Sequence, residues 1–322
     1  MAIQTITGKA FEYSLLVDFF ERLRTLSTVV IIENAPYKAA KKCFESFSDT
    51  EKDSYRINSS AAVNFIIDTE PRLSNSTNEK DILQLEIYSD FQGQGGDVRD
   101  VLLIRSIQNW EIGISAKNNH RAVKHSRLSN DINFGEKWLG LNCSETYFSE
   151  IKPVFDGLAQ LRTESGGTKT WDSLGDYHKS IYLPILIAFR KELMNLNANN
   201  PELVPLKLVE YLIGNKDFYK VIKGYNSVEI QAYNIHGTLN LSFNKSKPKF
   251  RIPKLKLPNR LIDISFQEES MTTLLLTLNE GWQISFRIHN ASSRIEASLK
   301  FDINLISAPY TLFTNHISVG EN

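Results

Sequence analysis

The chain has 322 residues, 42% of them hydrophobic, and its 37 Lys and Arg are balanced by 37 Asp and Glu. That length supports one large domain or two intimate ones with a sizeable core, and a neutral balance gives no overall pull toward a polyanion, so any nucleic-acid site must come from local clusters of Lys and Arg. The two cysteines, Cys43 and Cys143, are far apart and form no CxxC pair, which argues against a structural zinc site or a disulfide framework and fits a reducing cytoplasm.

The opening MAIQTITGK lacks a basic n-region and an apolar h-region, so no signal peptide is expected. Phe11, Leu15, Phe19 and Leu23 follow at helical spacing, and residues 36–47 read as a second helix. Ile82–Tyr88 alternates like a strand and leads into the glycine-rich FQGQGGDVRD. Val101–Ile104 is short and apolar, Trp110–Lys117 alternates with period two, and Arg105–Asn109 between them suits a hairpin. A basic, helix-like stretch, HRAVKHSRLS, comes next. The polar run 161–176, with Gly166-Gly167, marks a candidate boundary, and residues 177–222 read as helical. The longest apolar run, Ile181–Phe189, is nine residues, against roughly 20 for a membrane span; no membrane segment is expected. From about residue 226 the pattern turns to short strands: VEIQAYNI, GTLNLSF, LIDISF, TTLLLTL, GWQISFRIH and ASLKFDINLI. The class is therefore α+β, read as consecutive segments 1–165, 166–225 (helical) and 226–322 (β-rich).

Asp100 stands just before the first strand of the hairpin and Lys117 ends the second, with Glu111, Gly113, Ser115 and Lys117 on one face by alternation. A carboxylate at one strand start and an ammonium at the end of its partner suit metal-assisted phosphodiester hydrolysis. The carboxylate holds a divalent ion that activates water, and the Lys sits beside the scissile phosphate. The arrangement resembles the PD-(D/E)xK nuclease core, in which the residue two before the lysine is acidic; here it is Ser115. Glu111 lies four residues before Ser115, roughly 13 Å along an extended strand, too far to replace that acid. Glu12, set among Leu15, Leu16 and Phe19 on the first helix, is a better source of a second metal carboxylate beside Asp100, because a carboxylate on an apolar face needs a partner; a buried cation would serve equally. Asp97 is a further candidate.

Two basic segments could follow a phosphate backbone. Lys117–Asn130 carries Asn118, Asn119, His120, Arg121, Lys124 and Arg127 with no acid, and His120 and His125 lack the spacing of a shared helical metal site. Asn244–Arg260 carries Lys245, Lys247, Lys249, Arg251, Lys254, Lys256 and Arg260, and its prolines favour an extended arm over a helix. Near the C-terminus, Arg287, His289 and Asn290 close the strand GWQISFRIHN, where Arg287 and His289 share a face opposite Phe286 and Ile288. Polar donors on a strand anchored by its other face suit base reading, since Arg spans the O6 and N7 acceptors of guanine. Walker, GxGxxG and GxSxG motifs are missing, which leaves nucleotide-cofactor and serine-hydrolase chemistry unsupported.

GDVRDVLLIRS…WEIGISAKNNHRAVKHSRLS and GWQISFRIHNASSRIEASLKFDI resemble the HaeIII family of type II restriction endonucleases, and the likeness runs from GKAFE to the C-terminal strands. The resemblance implies a PD-(D/E)xK-like nuclease core, a mixed sheet flanked by helices, in 1–165, and DNA recognition in the β-rich region. It also implies Mg²⁺-dependent, blunt cleavage of double-stranded DNA at GGCC, in the cytoplasm of a bacterium whose cognate methyltransferase protects its own sites. A palindromic target invites a homodimer. The competing readings are a repair or structure-specific nuclease and a non-catalytic DNA-binding module, the latter drawing on Ser115.

Overall fold

The computed structural model describes residues 3–88, 97–119 and 124–320. Two units are resolved, each built from separated stretches of chain. The first combines residues 1–121, 215–256 and 311–322, and the second 122–214 and 257–310.

In the first unit, α1 (Ile3–Leu23) turns Phe11, Leu15, Leu16, Phe19 and Leu23 fully inward, each such side chain contributing about 1.5–3 kcal/mol by leaving water. It packs against α2 (Ala35–Glu45), α3 (Asp49–Thr69), which the short α4 (Pro71–Ser74) follows, and strands β2 (Leu83–Ile87) and β4 (Trp110–Asn118). A seven-stranded mixed sheet runs β1 (Val29–Ile32), β2, β3 (Val101–Arg105), β4, β6 (Phe218–Lys223), β7 (Ser227–Tyr233) and β12 (Phe313–Ser318). β1–β2 and β4–β6 are parallel pairs and the other neighbours are antiparallel. Ile112, Ile114 and Ala116 of β4, Tyr219 and Val221 of β6, and Val228, Ile230 and Ala232 of β7 all join the core with the helices. Alternation therefore sends Glu111, Gly113, Ser115, Lys117, Lys220, Glu229 and Gln231 to the other face.

The β3–β4 hairpin forms as its spacing suggests, pairing Arg105 with Trp110 around Asn109, whose φ is 47°. Arg105 is fully buried and anchors the hairpin. Its guanidinium donates to the carbonyls of Arg72 (2.7 Å), Asp81 (2.8 Å) and Leu73 (2.8 Å).

The second unit holds an antiparallel sheet in the order β5 (Lys124–Leu128), β11 (Leu299–Ser307), β10 (Gln283–His289), β9 (Thr273–Leu278) and β8 (Leu261–Phe266). Helices α5 (Phe134–Leu139), α6 (Glu145–Glu164), α7 (Leu183–Asn199) and α8 (Leu203–Ile213) supply its apolar layer. Phe189 of α7 lies 5.0 Å from Phe301 and 4.7 Å from Phe134, ring centre to ring centre.

The α+β class, with a mixed sheet flanked by helices and a β-rich C-terminal region, is what the structure has. Three sequence expectations are corrected. Residues 218–223 are strand β6, not the end of a helix: Gly214, at φ 82°, stops α8, and Tyr219 and Val221 then alternate with Lys220. The basic stretch after β4 is strand β5 from Lys124, since Ser126 and Leu128 turn inward and β11 pairs with it. GTLNLSF forms no strand, because Gly237 at φ 81° and Asn240 at φ 61° break the extended run. The chain groups by tertiary contact into interleaved stretches.

Candidate active site

β3 and β4 bring Asp100 and Lys117 together. The Asp100 amide donates to the Ile114 carbonyl (2.8 Å) and the Tyr88 amide to the Asp100 carbonyl (2.9 Å), so Asp100 prolongs the ladder at the end of the hairpin. Its Oδ2 accepts from the Ala116 amide (2.7 Å), the Lys117 ammonium (3.1 Å) and the Ser115 hydroxyl (3.3 Å). All three contacts fall on Oδ2, which leaves Oδ1 open among the described residues. Lys117 and Asp100 remain partly exposed, at 30% and 23% of their side-chain surface, so a substrate can reach them. Ser115, the residue standing where an acid was expected, is buried and neutral, and its hydroxyl supports Asp100.

Asp97 and Glu111 belong to Arg99. The guanidinium binds Asp97 through Nε (2.8 Å) and Nη2 (2.7 Å) and Glu111 through Nη1 (2.9 Å). Arg99 lies across β4 at Gly113, where a Cβ would run into its Cβ, Cγ and Cδ; only glycine leaves it room. Arg99 and Gly113 were missed by the sequence reading, although the glycine in the middle of an alternating strand was a visible sign of close approach. Glu12 is half-buried on α1, the helix that packs against β4. Asn118 is the last residue of β4, paired with Lys223, and Asn119, at φ 53°, donates its amide to the Lys223 carbonyl (2.9 Å). His120 and Arg121 lie outside the described residues, as does the side chain of His125.

The arm opens on a tight turn at 243–246, with Asn244 at φ 53°, then runs without helix or strand to Lys254 and is pinned beneath its charges. Phe250 stacks on Phe65 (5.3 Å between ring centres) and Ile252 is buried. Asn240 accepts from the Ile252 amide (2.8 Å) and donates to the Phe250 carbonyl (2.8 Å). Lys245, Lys247, Lys249, Arg251 and Lys254 stay exposed. Among them Lys249 pairs with Asp68 (2.7 Å).

Residues 8–309 match the family model of the HaeIII restriction endonuclease. Over 308 residues the chain is 41% identical to the type II restriction enzyme HaeIII of Haemophilus aegyptius, an alignment covering 95% of each protein. The chain belongs to the HaeIII restriction endonuclease family. It is accordingly a type II site-specific deoxyribonuclease acting on duplex DNA. No solved structure matches it. No helix among the described residues is long and apolar enough to cross a membrane.

The remaining expected DNA contacts of this HaeIII-family enzyme lie in the second unit. Arg287, exposed on β10, pairs across the strand with Asp302 (2.8 Å). Arg127 is also exposed and donates to Ser298 (2.7 Å) and Glu296 (3.3 Å). Lys124 is engaged internally. Its ammonium lies 3.7 Å from the centre of the Tyr211 ring and donates to the Tyr211 carbonyl (2.9 Å), and burial lowers its pKa to about 8. Asn290 shapes the turn after β10, donating to the Ser292 carbonyl (2.6 Å) and accepting from the Tyr182 hydroxyl (3.3 Å). The His289 Nδ1 meets the Asn290 carbonyl at 2.7 Å.

Proposed function

We propose that this enzyme cleaves GGCC in duplex DNA to blunt ends with Mg²⁺, using Asp100, Lys117 and Glu12. One observation carries the reading: the Lys117 ammonium 3.1 Å from the Asp100 carboxylate at the accessible end of the β3–β4 hairpin. Among the described residues no cluster of three or more metal-ligating side chains occurs. Mg²⁺ does not require one, because it keeps several waters and takes one or two carboxylates together with substrate phosphates. The open Oδ1 of Asp100 fits that demand, with Glu12 as the second carboxylate. When bound, the ion supplies water activation and charge neutralisation.

The chain's own groups do the rest. Asp100 is held in place by the Ala116 amide and Ser115, while Lys117 presents a positive charge to the scissile phosphate. Asp97 serves through Arg99, which braces the entry to Asp100. The exposed arm follows the flanking backbone, joined by Asn118, Asn119 and Arg127, and Arg287, with His289 and Asn290 at its strand end, reads bases. A homodimer matches a two-fold palindrome, a cognate methyltransferase protects host sites, and the cytoplasm is the compartment.

The test is digestion of a plasmid of known sequence with and without Mg²⁺, followed by sequencing of the ends. Fragments ending between the central G and C of each GGCC, and none without metal, are expected. Cutting at another fixed sequence would overturn the target, and unspecific degradation would favour a nuclease of another purpose.

A further inference from the structure

The turn that opens the arm sets an aromatic ring against an arginine. Phe243 and Ser246 exchange both backbone hydrogen bonds (3.0 Å each), with Asn244 at φ 53° between them, so the chain reverses over two residues. The Ser246 hydroxyl ties this turn to Asn75 Oδ1 (3.3 Å), just past α4. On α4 the guanidinium of Arg72 lies over the Phe243 ring, 5.3 Å from its centre. The main chain there is fixed as well. Pro71 and Leu73 are buried, and the Arg105 guanidinium donates to the carbonyls of Arg72 (2.7 Å) and Leu73 (2.8 Å). All of these residues belong to the first unit.

The Arg72 side chain is half-buried, and its Nε is buried with no hydrogen-bond partner. Among the described residues no carboxylate pairs with it, because the acids around it in the chain are committed elsewhere. Asp68 holds Lys249 (2.7 Å), Asp81 lies against Arg105 (3.6 Å), and the buried Glu70 accepts from the Tyr219 hydroxyl and the Asn240 amide. A cation partly withdrawn from water without an anion is costly. The charges that follow its ring in the chain, Lys245 and Lys247, are of the same sign and exposed.

We propose that Arg72 is a DNA-binding residue that grips one backbone phosphate, with Phe243 as its platform. The proposal rests on the reading of the arm as a backbone contact and gives that contact a fixed point. The arm lysines end in flexible stems and meet a phosphate as point charges. A guanidinium held over a ring has its direction set, and its two terminal nitrogens match two phosphate oxygens. Stacking also spares the ordering of a long side chain that binding would otherwise require. Arg72 thereby fixes where along the backbone the arm sits, and the lysines add charge around that point.

The experiment measures binding in Ca²⁺, across a range of salt, to a cognate and an unrelated duplex. It compares wild type, Arg72→Ala, Arg72→Lys, Phe243→Ala and a variant with Lys245, Lys247, Arg251 and Lys254 all changed to Gln. Wild type and Arg72→Ala are also titrated on cognate duplexes in which a single neutral methylphosphonate is moved one position at a time. Arg72→Ala is expected to bind both duplexes about tenfold more weakly and to lower the salt slope by about one unit. Arg72→Lys should restore the slope but not the affinity. Phe243→Ala, which removes no charge, should lose several-fold at unchanged slope. Wild type is expected to show a methylphosphonate penalty at one position per half-site that Arg72→Ala lacks, a difference that a merely structural arginine would not produce. If the Ala variant fails to fold, Arg72→Gln carries the same measurements. A loss of twofold or less at unchanged slope, or the full set of penalties retained in Arg72→Ala, overturns the assignment. A loss confined to one base position would also overturn it, by making Arg72 a base reader. Wild-type affinity and slope in the Gln variant of the arm would instead overturn the reading on which the proposal rests.

Discussion

Lys117 and Asp100 touch at 3.1 Å, yet they are expected to fail differently when changed. Lys117→Ala should lower the cleavage rate by ~100-fold or more while specific binding stays within a few-fold, because it removes an interaction that matters most in the transition state. Near-normal cutting by a folded variant would take Lys117 out of the mechanism. Asp100→Asn and Glu12→Gln should each weaken Mn²⁺ binding in the DNA complex, read by calorimetry; unchanged metal binding in both would refute their assignment as ligands. A further residue speaks to stability. Glu70 is buried, accepting from the Tyr219 hydroxyl (2.6 Å) and the Asn240 amide (2.8 Å). Burial raises its pKa from 4.5 to about 7, with those hydrogen bonds pulling the other way. Between about 4.5 and 7 the folded state holds the proton more tightly than the unfolded chain. Stability from this group is therefore present below the window and lost as pH rises through it. Relative to wild type, Glu70→Gln should be more stable at pH 8 than at pH 5 in thermal melts, and an offset independent of pH would contradict the assignment.

At the scale of elements, the sequence was legible where local pattern and tertiary role agreed. The helix at Phe11–Leu23 and the β3–β4 hairpin form where periodicity placed them, and the hairpin carries Asp100 and Lys117 to one end. α3 was overlooked despite a capping box, in which Ser48 accepts from the Glu51 amide (3.4 Å) and Glu51 from the Ser48 amide (2.9 Å). β5 was misread because its alternation matters only once β11 pairs with it, and that partner lies far along the chain. Arg99 could not be weighed from spacing alone, since its hold on Asp97 and Glu111 depends on the strand crossing at Gly113. The arm is free of helix as its prolines suggested, but it opens on a turn at 243–246, and Phe250 and Ile252 anchor it. Replacing Lys245, Lys247, Arg251 and Lys254 together by Gln should weaken binding about equally on any duplex. It should also flatten the salt dependence by up to about four units of slope. A changed site preference at constant slope would contradict a backbone role.

For the whole molecule, the interleaved chain separates two kinds of residue: Asp100 and Lys117 belong to one unit and Arg287 to the other. Cleavage and discrimination should therefore be separable by mutation, since substitutions without shared partners behave almost independently. β10 holds Arg287 on a polar sheet face, while Phe286 and Ile288, on the opposite face, are buried. A donor fixed in this way can be aimed at a base edge, and its guanidinium donates to Asp302 across the strand (2.8 Å). Arg287→Ala is expected to lose roughly 1–3 kcal/mol of affinity for the cognate site and to discriminate less at one base position, as a guanine reader would. The measurement is binding to the cognate duplex and to a set with single base changes, made in Ca²⁺ so that no strand is cut. The residual single-turnover rate on a saturated cognate site should remain within a few-fold of wild type, because the reacting centre is untouched. An equal loss on every duplex would make Arg287 a phosphate contact, and a large fall in rate at saturation would show that recognition and cleavage are coupled through this strand.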